Sequence, residues 1–372
     1  MNFEFADELL AVRDGARSFL AKNAPTTAVR RVLEGEAPYD AATWRAIGEL
    51  GWLGAAIPEE LGGSDLGHEG LCVLAEEIGA AVAAIPFSSA CMAAEAILLA
   101  GDAEQQRALL PGLATGETIF CLALAEGPGN PHPRAVKAAV RGGRLTGTKW
   151  PVADGGIADR AVVVARDADG GIGLFLVELA GPGVTRTALD SLDPTRNQAR
   201  LDFAGAPAVP LPAARGWAAV EAVLERSAVP IAFEQIGGAR ACLDMARDFA
   251  MERHAFGRPI ASFQAIKHKL VDIYVANELA RSNCTYAAWA LGADAPDLST
   301  AAAAARVSAT EAFHLASKEN IQVHGGMGFT WAADCHLYYR RAKLLSLMLG
   351  GAPWWKDRLV TRLELTNAEQ GA

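Results

Sequence analysis

Apolar residues are spaced along this chain in two alternating ways, and the changes of spacing divide the sequence into three zones. In the first zone, 1–116, they recur every three or four residues, as in the set Leu71, Leu74 and Ile78. That period places them on one face of a helix. The first zone is therefore predicted to be an N-terminal helical domain.

The spacing shortens in the second zone, 117–208, where apolar residues form short runs such as 161–165 and 173–177. The runs are rich in β-branched residues and are bounded by glycine, proline, aspartate or asparagine, which is typical of strands joined by turns. The pair Gly142 and Gly143 predicts a hairpin turn that enters such a strand. We expect a compact antiparallel, β-barrel-like middle domain.

Helical spacing returns in the third zone, 209–372, and the patterns are now long. Four of them can be traced, through 221–250, 263–291, 299–320 and 333–348. Long helices with apolar faces pack against one another along those faces. A C-terminal four-helix bundle is predicted, so the whole chain is expected to have an α+β fold with domains 1–116, 117–208 and 209–372.

The composition narrows the class of protein. At 372 residues the chain is long enough for two or three domains, and 51% hydrophobic with 21% charged residues is ordinary for a folded protein. The net charge of -9 argues against non-specific nucleic-acid binding. No apolar run reaches the roughly 18 residues that span a bilayer, and the acidic start, 1–8, lacks the basic segment of a signal peptide. We expect a cytoplasmic protein without a membrane span.

Cysteine usage agrees with a reducing compartment. The six cysteines are scattered and form no C-x-x-C pair, so buried reduced thiols are expected. Cys335, His336 and His324 are the one grouping that suggests a metal. Neighbouring residues on a helix point in different directions, however, and no further ligands are apparent, so no metal site is predicted.

A glycine cluster follows the third long helical pattern. It consists of Gly325, Gly326 and Gly328. Gln322 lies before it, and the aromatic residues Phe329 and Trp331 lie after it. Because glycine has no Cβ, backbone amides here can turn sharply and lie against a bulky anion. The stretch is suited to holding a dinucleotide.

A second candidate site lies where the first long helix of the third zone ends. Gly257 and Pro259 stop that helix, and Arg253 lies in its last turn. A cation there is favoured by the helix dipole, so Arg253 can be explained as a capping residue. It can equally face an anion, with the amide of Gln264 nearby, and the residues alone leave both interpretations open.

Taken together, the two segments resemble the paired signature of the acyl-CoA dehydrogenase family. They read R-x-x-F-G-x-x-I-x-x-F-Q, beginning at Arg253, and Q-x-H-G-G-x-G-F-T, beginning at Gln322. The order of helical, β and helical zones is also that family's layout, and the similarity covers essentially the whole chain.

The resemblance implies an FAD bound between the β domain and the C-terminal bundle, at an interface between subunits. Residues matching Arg253, Phe256 and Gln264 contact its adenosine-pyrophosphate part, and those matching Gln322, Gly325 and Gly326 complete the contact, with Gly328 in the same cluster. In the family, a glutamate removes the α proton of an acyl-CoA thioester while the β hydrogen leaves as hydride to flavin N5. Electron transfer flavoprotein is the usual acceptor, and the proteins are dimers or tetramers.

The chain departs from the family at the segments that hold the flavin ring. The family's T/S-E-P-x-x-G-S-D segment is 125–130 here, where Glu126 remains but Ala125 replaces the hydroxyl residue. The family's K-x-W-I-T/S segment begins at Lys149, and Ala153 replaces its hydroxyl residue. A hydrogen bond to developing charge is worth about 1.5–3 kcal/mol, so these losses bear on catalysis.

The catalytic base also departs from the family pattern. One family position for the glutamate falls on Trp354, and the position used by a second branch falls near Ser227. Glu225 lies two residues away and is our candidate base, although two residues correspond to about 200° around a helix. The alternative is a surface carboxylate beside Arg226. Glu234 lies further along the same helix.

Three hypotheses follow. The chain is an active FAD-dependent acyl-CoA dehydrogenase with Glu225 as base, or a non-catalytic FAD-binding partner subunit, or a helical protein without flavin. The second hypothesis is based on bacterial family members that act on steroid-CoA side chains. They resemble this chain and are expected to form heterotetramers with one FAD per pair of unlike chains. An acyl pocket would be lined from the first and third zones, and no residue there identifies the acyl group.

Overall fold

The computed structural model describes residues 5–370, with side chains described up to 365; the first four residues of the acidic start lie outside this range. Helices precede and follow a set of strands, as predicted. The helices are α1 (Asp7–Asn23), α2 (Thr26–Leu33), α3 (Ala41–Glu49), α4 (Gly67–Ala80), α5 (Phe87–Ala100), α6 (Ala103–Ala114), α7 (Gly216–Glu252), α8 (Gln264–Gly292), α9 (Leu298–His324), α10 (Cys335–Leu347) and α11 (Ala352–Gln370). No described helix combines the length and the apolar character that crossing a bilayer requires.

The strands lie mainly between α6 and α7. They are β1 (Phe120–Ala123), β2 (Ala139–Arg141), β3 (Arg144–Ala153), β4 (Arg160–Arg166), β5 (Ile172–Glu178), β6 (Val184–Ala188), β7 (Gln198–Pro207) and β8 (Val209–Pro210), with a separate pair β9 (His254–Ala255) and β10 (Arg258–Pro259). The helical, β, helical order and the β nature of the middle zone are thereby confirmed.

Two compact units are formed, and they cut across the three zones of the sequence. The first comprises Met1–Thr27, Cys72–Ala83 and Ala228–Ala372, and the second comprises Ala28–Leu71 and Ala84–Ser227. The zones describe which element types follow one another, whereas the units group elements by proximity. The boundaries 1–116, 117–208 and 209–372 stay a prediction.

The second unit is built on a sheet ordered β6-β7-β3-β2-β4-β5-β8, with β1 beside β4. Most neighbours are antiparallel, but β1 and β4 run parallel, so the sheet is mixed rather than purely antiparallel. Parallel partners need a crossover connection, which β2 and β3 supply here. The apolar run 161–165 is fully buried in β4, and α5 packs on β1 and β4 along an almost wholly buried length.

In the first unit, α4 and α7 cross with their backbones in direct contact. A Cβ on Gly79 would lie 2.0 Å from the carbonyl oxygen of Glu234, and one on Gly237 would lie 1.9 Å from that of Glu76. Any side chain at either position would therefore drive the helices apart. Gly238 likewise leaves room for the ring of Phe313 on α9.

The same crossing collects an ion network of three arginines and two buried glutamates. Glu76 accepts hydrogen bonds from both terminal guanidinium nitrogens of Arg281, at 2.9 Å each. Glu77 accepts from Arg17 at 3.0 Å and from Arg240 at 2.8 Å. Because each buried carboxylate has at least two charged donors, its loss of water is offset. The network ties α1, α4, α7 and α8 together.

We predict that Gly79→Ala lowers the free energy of unfolding by about 3 kcal/mol, because the new methyl group overlaps a backbone carbonyl that cannot move independently. The measurement is the denaturant midpoint of the purified protein. Gly15→Ala is the matched control: it also lies in a helix, but nothing is within 4 Å of its Cβ. The control is expected to gain about 0.5–1 kcal/mol. Equal midpoints for both variants would contradict the crossing.

Candidate functional site

The two sequence motifs of the third zone converge on one small core in the first unit. Ala246, Ala250 and Val323 are buried together, and partly buried residues from the start of α8, including Ile266, pack against them. The ring of Phe249 stacks on the imidazole of His324, with 4.2 Å between centroids and 25° between planes. The ends of α7 and α9 and the start of α8 are thus held side by side.

A two-residue hairpin presents Phe256. Strands β9 and β10 pair antiparallel, and Phe256 and Gly257 form the turn with φ angles of 55° and 77°. Two left-handed residues are what a tight hairpin requires, although a phenylalanine rarely adopts that conformation. The Phe256 side chain is 94% exposed, so the turn holds an aromatic ring away from the chain's own core.

Arg253 and Gln264 flank this hairpin. The carbonyl of Arg253 accepts from the amide of Ile260 at 2.8 Å, while its side chain is exposed and, among described residues, has no ion-pair partner. Gln264 is the exposed first residue of α8, and no side chain of the described residues caps that helix end. A cation and the positive end of a 29-residue helix dipole therefore border the same hairpin, which suits an anion.

The three glycines of the cluster are present for different reasons. Gly325 has a φ of 58° and a ψ of -137°, a conformation that favours glycine. A Cβ on buried Gly328 would lie 2.6 Å from the carbonyl oxygen of Ile321. A Cβ on Gly326 would meet nothing within 4 Å. Gly326 thus leaves open, exposed space, as a site for a bulky anionic ligand requires, and Gln322 is exposed one turn before it on α9.

In the two segments that correspond to the family's flavin-ring segments, the polar groups of Glu126 and Lys149 form hydrogen bonds within the chain. Lys149 is fully buried and donates to Glu126 at 2.7 Å and to the carbonyl of Leu124 at 3.1 Å. Burial lowers the pKa of Lys149, and the neighbouring Glu126 carboxylate offsets part of that change. Glu126 also accepts hydrogen bonds from the backbone amides of Lys137 and Ala138. Glu126 is therefore a structural carboxylate.

Backbone donors in the same segments are occupied as well. The amide of Trp150 donates to the carbonyl of Ala125, and the amide of Gly127 donates to the carbonyl of Trp150, each at 2.8 Å. One hydroxyl that the motifs did not indicate does lie nearby. Ser89 of α5 donates to Asp154 at 2.6 Å. No local pattern signals that contact, because the two residues are far apart in the sequence.

The candidate bases lie in different surroundings. Glu225 is half-buried on α7. Ser227, at the family's second base position, is 1% exposed, and its hydroxyl has no partner among the described residues. Glu234 is buried and forms an ion pair with Arg341 at 3.2 Å, so its role is structural. Trp354 lies in the first turn of α11, with the guanidinium of Arg358 at 4.8 Å from its ring centroid.

Next to Glu225, Arg226 belongs to a partly buried cluster in the second unit, centred on the buried Glu95. Glu95 of α5 accepts from Arg226 at 2.8 Å, and its other oxygen lies 2.5 Å from Nε2 of His68. Burial by itself would raise the pKa of Glu95, but hydrogen bonds and charges of His68 and Arg226 lower it overall. The cluster was not predicted, and it fixes the α7 turn that carries Glu225.

We predict that Glu95→Gln lowers the free energy of unfolding, and that the size of this loss depends on pH. Because the folded pKa of Glu95 is lowered, its stabilising effect is complete above the unfolded value of about 4.3 and disappears as pH falls through the folded value. At pH 7 the variant should lose about 3 kcal/mol of unfolding free energy, since Arg226 keeps a buried charge without its carboxylate. In urea titrations the loss of unfolding free energy should be constant down to about pH 5 and should shrink as the pH falls below about 4.3. Glu36→Gln, an exposed carboxylate of the same unit, should match the wild type, and a pH-independent loss would contradict the assignment.

The described residues contain no group of three or more His, Cys, Asp or Glu side chains that could hold a metal ion. All six cysteines are buried, and none of them forms a disulfide. Burial raises the pKa of Cys335 to about 11, so its thiol is protonated at neutral pH and is a poor ligand.

Comparison with known proteins gives consistent matches over nearly the whole chain. The family descriptions that match are "Acyl-CoA dehydrogenase, N-terminal domain" over residues 6–117 and "Acyl-CoA dehydrogenase, C-terminal domain" over residues 214–352. The acyl-CoA dehydrogenase IpdE2 of Mycobacterium tuberculosis is 33% identical over 338 residues, which cover 90% of this chain and 91% of the relative.

Solved structures show the same likeness. A variant of the Tcur3481-Tcur3483 steroid ACAD is 33% identical, with a TM-score of 0.88 over 97% of this chain and 99% of that chain. The ChsE4-ChsE5 complex from Mycobacterium tuberculosis is 29% identical, also with a TM-score of 0.88, over 98% of this chain and 99% of that chain.

Proposed function

The chain belongs to the acyl-CoA dehydrogenase family of FAD-dependent oxidoreductases, and we propose that it is the FAD-binding partner subunit of a heteromeric acyl-CoA dehydrogenase. One contrast supports this proposal most. The groups suited to the adenosine end of FAD are exposed, whereas the polar groups of the flavin-ring segments form hydrogen bonds within the chain.

The residues of the first unit fit the adenosine-pyrophosphate part of FAD. Arg253 supplies a cation, the uncapped start of α8 at Gln264 supplies backbone donors, and Gly326 leaves room for close approach of the backbone. Phe256 presents a ring beside them, and Gln322 presents an amide. When bound, FAD supplies the two-electron acceptor for the dehydrogenation. This chain's part is to bind and orient the cofactor.

We assign the base to an unlike homologous subunit. In this chain the two family positions hold Trp354 and Ser227, and neither side chain can accept a proton from a carbon acid. Glu126 is engaged by Lys149 and two backbone amides. Two similar structures, the Tcur3481-Tcur3483 steroid ACAD and the ChsE4-ChsE5 complex, are each named after two different proteins. This supports an assembly of unlike chains.

The apolar face of α8 is suited to such an assembly. Four large side chains at helical spacing are exposed on it: Val271, Tyr274, Val275 and Leu279. Exposed apolar residues in a continuous row are typical of a protein contact. We propose that this face packs against the partner.

The substrate class follows from the family, and a steroid-derived acyl-CoA is favoured by the likeness to steroid ACADs. Electron transfer flavoprotein is the proposed electron acceptor. We place the assembly in the cytoplasm because all six cysteines are buried and none of them forms a disulfide.

A second candidate function is dehydrogenation by this chain itself, with Glu225 as base. One observation favours it: Glu225 is half-buried and lies directly before Arg226, whose ion pair with Glu95 holds that turn of α7 in place. A base must be held rigidly within hydrogen-bond reach of the α proton. The two candidates differ in whether activity depends on Glu225.

We predict that Glu225→Gln leaves activity within about twofold when the chain is assembled with its homologous partner, because the base belongs to the other subunit. The measurement is reduction of an artificial acceptor by an acyl-CoA. The chain purified alone should bind FAD weakly and show no turnover. A loss of about 10³-fold or more in Glu225→Gln would instead establish Glu225 as the base and support the second candidate.

Two glycine variants separate cofactor binding from folding. Gly326→Ala should leave the denaturant midpoint unchanged and weaken FAD binding by about tenfold, since its methyl group enters only the open space meant for the ligand. Gly328→Ala should lower the midpoint, because its methyl group meets the carbonyl of Ile321. FAD affinity is measured by titration of the stripped assembly. Unchanged FAD affinity in Gly326→Ala would contradict the site.

A further inference from the structure

Trp331 lies three residues beyond the glycine cluster and is held in one orientation. Its ring stacks on the imidazole of His336, with 4.9 Å between centroids and 19° between planes. The guanidinium of Arg340 lies 5.7 Å from the indole centroid. The carbonyl of Trp331 is also 3.2 Å from Nε2 of His336. Side chain and backbone are therefore both tied to the first two turns of α10.

In spite of this support, the Trp331 side chain is 52% exposed. His336 stacks against the indole and the guanidinium of Arg340 lies over the ring, so the indole is held in place while about half of the side chain stays exposed. Holding an indole in one orientation costs conformational freedom that its packing regains only in part.

A rigid, half-exposed indole next to an anion-binding segment suits a planar base attached to a phosphate. Purine rings stack on aromatic side chains, and the contact is worth about 1–3 kcal/mol per base. Arg340 adds a positive charge over the same ring, and Gly325 and Gly326 lie six and five residues before Trp331 in the sequence.

We propose that Trp331 is the stacking surface for the adenine ring of FAD, with His336 holding the indole in place. The inference rests on the proposed function, because it names the residue that recognises the adenine at the same cofactor site. It makes Trp331 the residue that distinguishes adenine-containing nucleotides from FMN. His336 is a positioning residue, since it acts through Trp331.

The test uses the assembled protein stripped of FAD and titrated with FAD, ADP and FMN in a calorimeter. Trp331→Ala should weaken the binding of FAD and of ADP by about 10–100-fold and leave the affinity for FMN unchanged, because FMN has no adenine. Trp331→Phe should restore most of the affinity, whereas Trp331→Leu, which is apolar but not aromatic, should not. His336→Ala should give a smaller loss than Trp331→Ala.

Two results would overturn the assignment of Trp331 alone. One is wild-type ADP affinity in Trp331→Ala. The other is dissociation of the Trp331→Ala assembly in size-exclusion chromatography with unchanged ADP affinity in the complex that remains, which would make Trp331 an interface residue. A wild-type assembly that binds neither FAD nor ADP would overturn the cofactor site itself, so the two failures are distinguishable.

Discussion

The contact on which the first unit depends is the crossing of α4 and α7 at Gly79 and Gly237. Because neither glycine has a side chain, each helix lies against the other's carbonyl groups. This closeness brings Glu76 and Glu77 within reach of Arg240, and through them Arg17 and Arg281 attach α1 and α8. The end of α7 and the start of α8, where the proposed adenosine end of FAD lies, belong to helices that this crossing holds in place.

Much of the fold could be predicted from spacing alone, because each element buries one face and its apolar period records which face that is. The limits of that information are set by distance along the chain. Glu95 pairs with His68 and Arg226, which are 27 and 131 residues away. No local pattern links such residues. The compact units cut across the compositional zones for the same reason, since proximity in space is not recorded in periodicity.

The candidate site was predictable in a similar, partial way. Glycine at three positions of one cluster indicated close approach of a ligand, but the three turned out to serve different ends. Gly325 allows a positive φ, Gly328 allows close packing against the carbonyl of Ile321, and Gly326 borders open space without either need. The flavin-ring segments show the reverse case. Loss of the hydroxyls at Ala125 and Ala153 was visible in the sequence, but the ion pair of Lys149 with Glu126 was not.

Copies of this chain made in excess of their partner would keep the row Val271, Tyr274, Val275 and Leu279 in water. Such a surface is what chaperones and proteases recognise in an incompletely assembled protein. The amount of this chain in a cell would then follow the supply of its unlike homologue rather than its own rate of synthesis. In the proposed assembly, the exposed apolar face of this one helix would require balanced production of the two chains.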